Sequence, residues 1–232
     1  MPHILITGAN KGLGRETARR LLQEGHDVWI GARDPERGRE AAEALGARHV
    51  VLDVTDDASV AAAADRIGQA TGGVLDVLVN NAGVADNTSD AVGGDAAVLE
   101  ALYAVNVFGA ARAFAAFLPL LRAAEHGVVV NVSSGLGSHV VTSDPDRIES
   151  SFQAPAYTSS KAALNMLTAQ WAAGLPELRI NAVDPGYTAT DLNGNSGPQT
   201  VTEGTDAIVR AATFGADGPT GTFFDRHGAV GW

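Results

Sequence analysis

Tyr157 and Lys161 stand four residues apart in a stretch, 155–173, whose pattern predicts a helix, so their side chains share one face. A free phenol titrates at about 10. A neighbouring ammonium stabilises the phenolate and lowers that value, which makes Tyr a usable acid or base near neutral pH. The spacing is common in helices and has no chemical meaning by itself. A second group of residues, Thr7-Gly8-Ala9-Asn10-Lys11-Gly12-Leu13-Gly14, lies between a predicted strand and a predicted helix. Glycines there allow positive φ and close backbone approach, and the helix start offers free N–H groups to a pyrophosphate. A tight turn for close helix–strand packing needs the same glycines. A P-loop does not fit, because Gly14-Arg15-Glu16 stands where Gly-Lys-Ser/Thr is required.

The next strand ends Gly31-Ala32-Arg33. Dinucleotide-binding folds commonly place an acid here to hold the adenosine ribose 2′-hydroxyl. Ala32 instead leaves room, Arg33 supplies a bidentate phosphate ligand and Lys11 adds a second cation. The combination favours NADP(H) over NAD(H), since a 2′-phosphate needs positive charge. The bland alternative is a solvated Arg33 paired with Glu36 or Glu40.

Alternating short apolar strands and amphipathic helices must position these groups. Strands are expected over 3–7, 27–32, 47–52, 74–79, 128–132, 178–183 and 222–224. Helices are expected over 12–24, 35–45, 56–70, 96–121 with a bend near Pro119, 155–173 and 202–213. The alternation predicts an α/β fold: a single-domain, Rossmann-type, doubly wound parallel sheet over residues 1–232 with helices on both faces. Ligands in such sheets sit beyond the carboxyl ends of the strands. Two irregular stretches, 135–154 and 186–200, follow strand ends and should border that cleft.

The formal net charge of -11 disfavours nucleic acid and anionic membrane as partners, leaving a small molecule. No apolar run approaches the roughly 18 residues of a membrane span. No signal peptide is apparent, so the cytoplasm is the expected compartment. The chain has no cysteine, which removes disulfides, thiol nucleophiles and thiolate metal sites. Its 6 histidines show no metal-ligand spacing, and His139 reads as a surface residue. Phe152, Tyr187 and Leu192 suggest a pocket with apolar walls.

Further motifs follow in order at successive strand ends: Asn80-Asn81-Ala82-Gly83, Asn131-Val132-Ser133-Ser134 and Asp184-Pro185-Gly186. With the glycine loop and the Tyr–Lys pair, the chain resembles the short-chain dehydrogenase/reductase family over nearly its whole length. Residues 8–14 and 31–34 look most like its NADPH-dependent carbonyl reductases. The resemblance implies that Tyr157 is the general acid and that Lys161 lowers its pKa and holds the nicotinamide ribose. It implies that Ser134, rather than Ser133, bonds the substrate carbonyl and that Asn106 holds a proton-relay water. It places Gly8, Asn10, Lys11, Gly12, Leu13, Gly14 and Arg33 on the cofactor, with Asp53 and Val54 at the adenine. Asn80, Ala82 and Gly83 would pass the adenosine ribose, and Pro185, Gly186, Thr188 and Thr190 would line the nicotinamide.

The function so implied is reversible, NADPH-dependent reduction of a ketone or aldehyde to an alcohol. An NAD-linked alcohol dehydrogenase and a non-catalytic NADP(H)-sensing regulator are the alternatives. The segment between Ser134 and Tyr157 is longer than the family usually has. Its extra residues, around Asp144-Pro145-Asp146-Arg147-Ile148-Glu149, are expected to cap or narrow the pocket. They also border a helix surface that family members use to pair, which leaves a homo-oligomer open.

Overall fold

The computed structural model describes residues 1–85 and 96–232. Seven parallel strands form one sheet in the order β3-β2-β1-β4-β5-β6-β7. They are β1 (His3–Thr7), β2 (Asp27–Ala32), β3 (Arg48–Val51), β4 (Val77–Asn80), β5 (Val128–Val132), β6 (Arg179–Val183) and β7 (Phe223–Phe224). The helices are α1 (Gly12–Gln23), α2 (Pro35–Leu45), α3 (Asp57–Thr71), α4 (Ala96–Tyr103), α5 (Ala110–Arg122), α6 (His139–Thr142), α7 (Pro155–Gly174), α8 (Val201–Gly204) and α9 (Asp206–Ala212).

The order reverses between β1 and β4, which opens a crevice at the carboxyl ends of those strands. Both sheet faces are covered, so the strands are apolar throughout. In β1, Ile4 and Ile6 join the core under α1 and α9, while Leu5 joins the opposite core under α3 and α5. The expected doubly wound, Rossmann-like sheet is therefore present.

Several boundaries differ from the pattern-based ones. The strand expected over 74–79 pairs only over Val77–Asn80. Leu75 is fully buried but lies outside the ladder, so its apolarity serves packing. The helix expected over 202–213 is two short helices, α8 and α9, meeting at the buried Thr205. The irregularity in the helix expected over 96–121 is not at Pro119. A π-helical turn, Ala104–Gly109, joins α4 to α5, and Pro119 sits inside the last turn of α5. The run Ala96–Arg122, 27 residues of mean hydropathy 1.6, is long and apolar enough by length and composition to cross a membrane. That corrects the expectation that no run approaches such a length, because Glu100 and Arg112 interrupt the apolar pattern yet leave its average high. In this fold it is a core helix, with Phe114, Phe117 and Leu121 buried against the sheet.

Candidate active site

The glycine loop is held open by its neighbours. Gly8 has φ +64, and a Cβ there would stand 2.9 Å from Ala82 Cα. Gly12 has φ +55, and a Cβ there would meet only Thr190 Cγ2, at 3.9 Å. No side chain caps α1, and its first turn holds no acid. Its leading N–H groups and positive dipole end are thus unspent. The Asn81 amide donates to the carbonyls of Thr7 and Gly8, at 2.8 and 3.2 Å. Thr7 Oγ1 accepts from the N–H groups of Asn81 and Ala82, at 3.0 and 2.9 Å. The ends of β1 and β4 are laced together, with open space beside Gly12. This suits a pyrophosphate.

At the end of β2, Arg33 is exposed and makes no hydrogen bond or ion pair among the described residues. The alternative pairing with Glu36 or Glu40 is not adopted, since Glu36 is held by Arg39. Lys11, however, is bound to Asp191 at 3.0 Å and so reaches toward the loop after β6. The Asp53 carboxylate accepts from the N–H and hydroxyl of Thr55, at 2.9 and 2.7 Å. Burial pushes its pKa up, but those bonds, with Arg33 and Arg112, outweigh it and leave a net lowering. Val54 is buried against Gly109, where a Cβ would clash at 2.7 Å. The Asn80 amide is turned inward and donates to Asn131 at 2.8 Å, and Asn131 in turn donates to Thr168. Asn80 thus faces the site with its backbone alone.

Tyr157 and Lys161 lie on the first two turns of α7, and Ser134 follows the end of β5. Tyr157 is hydrogen-bonded with Ser134, whose hydroxyl also accepts the Leu136 N–H at 3.2 Å. The Lys161 ammonium is buried, donates to the Val132 carbonyl at 2.9 Å and lies 5.6 Å from the Tyr157 ring centroid. Burial pushes the Tyr157 phenol up to about 12, against the Ser134 bond, and the charge of Asp184 adds to the rise. Burial likewise pushes Lys161 down to about 8. Desolvation thus dominates both groups, and the lowering of the phenol expected from the nearby lysine does not appear.

Asn106 is buried in the π-helical turn. Its Oδ1 accepts the Val84 N–H at 2.9 Å, and its amide donates to the Val84 carbonyl at 2.9 Å and to Ser160 Oγ at 3.0 Å. The side chain therefore straps the segment after β4 to α7. Ser133 is buried and points at the Lys161 carbonyl, 3.4 Å away, whereas Ser134 lines the cavity.

A cavity of about 350 Å³ opens in front of Ser134 and Tyr157. Pro185, Gly186, Thr188 and Thr190 form one wall. Phe152, Tyr187 and Leu192 line it as expected, with Phe152 and Tyr187 meeting edge to face at 5.7 Å. From the extra segment only Ile148 and Glu149 of the named six reach it. His139 lies outside, exposed and bonded to Ser143 at 3.2 Å. No group of three or more potential metal ligands occurs among the described residues. Sequence reasoning missed the part Thr7 and Asn81 play in setting the loop and Asp184 as a pocket wall, whereas Glu149 lines the pocket as its segment was expected to, and Leu13, expected on the cofactor, lines it too. The Asn80–Asn81 repeat was the available signal, since adjacent asparagines point to opposite sides of a strand end.

A family model described as short chain dehydrogenase matches residues 2–200. The chain is 38% identical over 228 residues to short-chain dehydrogenase anuI of Penicillium roqueforti, covering 93% of this chain and 90% of that one. It is 31% identical over 285 residues to (+)-neomenthol dehydrogenase of Arabidopsis thaliana, covering 97% and 96%. It superposes on the NADPH-bound carbonyl reductase from chicken fatty liver with a TM-score of 0.89 at 29% identity, covering 100% and 99%. Likeness of this extent spans the dinucleotide cleft and the Tyr157 wall alike. The chain belongs to the short-chain dehydrogenase/reductase family and is an oxidoreductase.

Proposed function

We propose that the protein is an NADPH-dependent reductase of a ketone or aldehyde, running reversibly. The observation that carries the reading is a cavity with apolar walls where Ser134 and Tyr157 stand side by side, with the Lys161 ammonium buried behind them. The dinucleotide, when bound, supplies the hydride. Gly8, Asn10, Gly12, Leu13 and Gly14 would hold its pyrophosphate through backbone N–H groups, and Lys161 its nicotinamide ribose. Arg33 would hold the 2′-phosphate, because its guanidinium is free at the strand end where an NAD-binding chain keeps an acid. Lys11 supports that reading less than the sequence suggests, since Asp191 already engages it.

Ser134 donates a hydrogen bond to the substrate carbonyl oxygen and orients it toward the phenol. With its pKa near 12, the phenol keeps its proton at neutral pH, as a general acid must. The proton passes from Tyr157 Oη to the carbonyl oxygen as that oxygen gains negative charge. Lys161, titrating at about 8, is charged at pH 7 and stabilises the tyrosinate left behind. Asn106 fixes the strap on which Gly83 and Val84 face the cofactor side of the cleft.

The substrate is proposed to be compact and neutral or cationic. Glu149 and Asp184 are the charged residues lining the cavity, so an anionic group would meet only like charge. The test is NADPH oxidation followed with a panel of ketones and aldehydes, in the native protein and in Tyr157→Phe. Turnover should fall at least ~10²-fold while NADPH binding persists. Unchanged turnover in the variant overturns the proposal.

A further inference from the structure

Asp184 follows β6 and is the one acidic residue that is buried among the described residues, at 4% exposure. An ionised carboxylate out of water must be satisfied by hydrogen bonds. Its Oδ1 accepts the Gly186 N–H at 2.9 Å, and the carboxylate lies against the Gly135 backbone, whose N–H favours its charged form. Gly135 comes directly after Ser134, and Gly186 opens the loop along the nicotinamide wall. One side chain therefore ties together the two strand-end segments that flank Tyr157. The fit is close: a Cβ on Gly135 would stand 2.9 Å from Asp184 Oδ2 and 3.2 Å from Glu149 Oε1.

We propose that Asp184 is a positioning residue for the reaction: it clamps the Ser134–Gly135 and Pro185–Gly186 segments around the carbonyl, and its charge favours the protonated phenol of Tyr157 over tyrosinate. The inference rests on the reductase reading above. Its support is the pocket geometry together with the electrostatics around it. Tyr157 faces Asp184 from α7, and the Asp184 charge disfavours tyrosinate. Glu149 faces it from the turn Ile148–Ser151, and Arg147 holds Glu149 by two contacts, at 3.1 and 3.2 Å. Asp225 faces it from beyond β7. Burial is the largest influence raising the Asp184 pKa, with Glu149 and Asp225 adding to it against the two N–H donors.

Two variants separate positioning from charge. Asp184→Asn keeps the size and one acceptor. Asp184→Ser keeps a hydroxyl acceptor for the Gly186 N–H and no charge. Ketone reduction with NADPH and alcohol oxidation with NADP⁺ are measured from pH 6 to 11. In both variants the alkaline limb of reductive kcat/KM should move to lower pH. The acid limb of oxidative kcat/KM should move to lower pH by the same amount, with a decade of rate for each pH unit of distance along a limb. The ketone KM should rise as the clamp loosens. A uniform loss of rate with an unmoved limb means a merely structural role and overturns the proposal.

A second readout needs no turnover. The chain has 3 tyrosines, so the ultraviolet tyrosinate titration of the native protein minus that of Tyr157→Phe isolates Tyr157. The native midpoint should lie above that of free tyrosine and fall in Asp184→Asn. A native midpoint at or below free tyrosine, or no fall in the variant, overturns the proposal even if no carbonyl is ever reduced. Loss of folding in both variants also overturns it, because Ser at 184 preserves the local turn.

Discussion

Replacing Lys161 by Met should abolish reduction and yet stabilise the fold near neutral pH. The ammonium is buried at 5% exposure, and burial depresses its pKa from 10.5 to about 8. That depression corresponds to about 3 kcal/mol. The sign follows from proton binding. Below pH ~8 both folded and unfolded chains carry the proton, and the folded chain bears the full penalty of a buried charge. Between about 8 and 10.5 the unfolded chain keeps its proton while the folded one releases it, so native stability rises with pH through that window.

Met has similar length, no charge and no titration. Its cost is the bond to the Val132 carbonyl, and leaving that acceptor unpaired takes back ~1–2 kcal/mol. A net gain of ~1–2 kcal/mol is expected at pH 7, or roughly 2–8 °C in Tm for a chain of this size. The assay is thermal or urea unfolding of native and Lys161→Met protein at pH 7 and pH 10, without cofactor. The gain should shrink and reverse at the higher pH. A variant less stable than native at pH 7, or a difference that ignores pH, refutes the reasoning.

Arg33→Asp should weaken NADPH binding ~10–100-fold in a fluorescence titration and leave NADH binding nearly unchanged; equal affinity for NADPH refutes the 2′-phosphate role. Asn81→Ala removes two bonds to the glycine loop and should cost ~1–2 kcal/mol of stability while raising the cofactor Kd, as read by unfolding and titration together. Phe152→Ala should raise the KM of a cyclic ketone several-fold with kcat little changed, since Phe152 meets Tyr187 across the cavity and touches no reacting atom. A ketone bearing a carboxylate should show at least ~10-fold lower kcat/KM than its neutral amide, because the lining charges are those of Glu149 and Asp184.

The sheet was legible because its strands are buried on both faces and so read as unbroken apolar runs, Val128–Val132 above all. Where the pattern misled, apolarity served something other than a ladder. Leu75 packs beneath Leu120 and Leu121, and its N–H donates to the Leu120 carbonyl at 3.1 Å, so the run begins before pairing does. The π-helical turn has no sequence signature of its own. Val105-Asn106-Val107 reads as ordinary helix, and the extra residue per turn is stabilised by what Asn106 bonds across space, namely Val84 and Ser160.

The site divides along the same line. Tyr157, Lys161 and Ser134 could be picked out because they fall, with the other motifs, in family order at successive strand ends; their types and spacing alone would not have done it. Where a residue acts by the place of another segment, that order does not show it. Asn80 and Asn81 are adjacent and identical, yet one turns into the sheet toward Asn131 while the other reaches out to the carbonyls of Thr7 and Gly8. Only the parallel register of β4 beside β1, with Val79 opposite Ile6, sends the second amide to the glycine loop. Asp184 is the extreme case. It occupies a position that reads as a turn acid before Pro185, and its burial between Gly135 and Gly186 follows from two loops far apart in sequence closing on neighbouring strand ends. The same closure brings Asp184 toward Tyr157, where its charge adds to burial in holding the phenol protonated, while the Lys161 ammonium stands 5.6 Å from the ring centroid on its own helix.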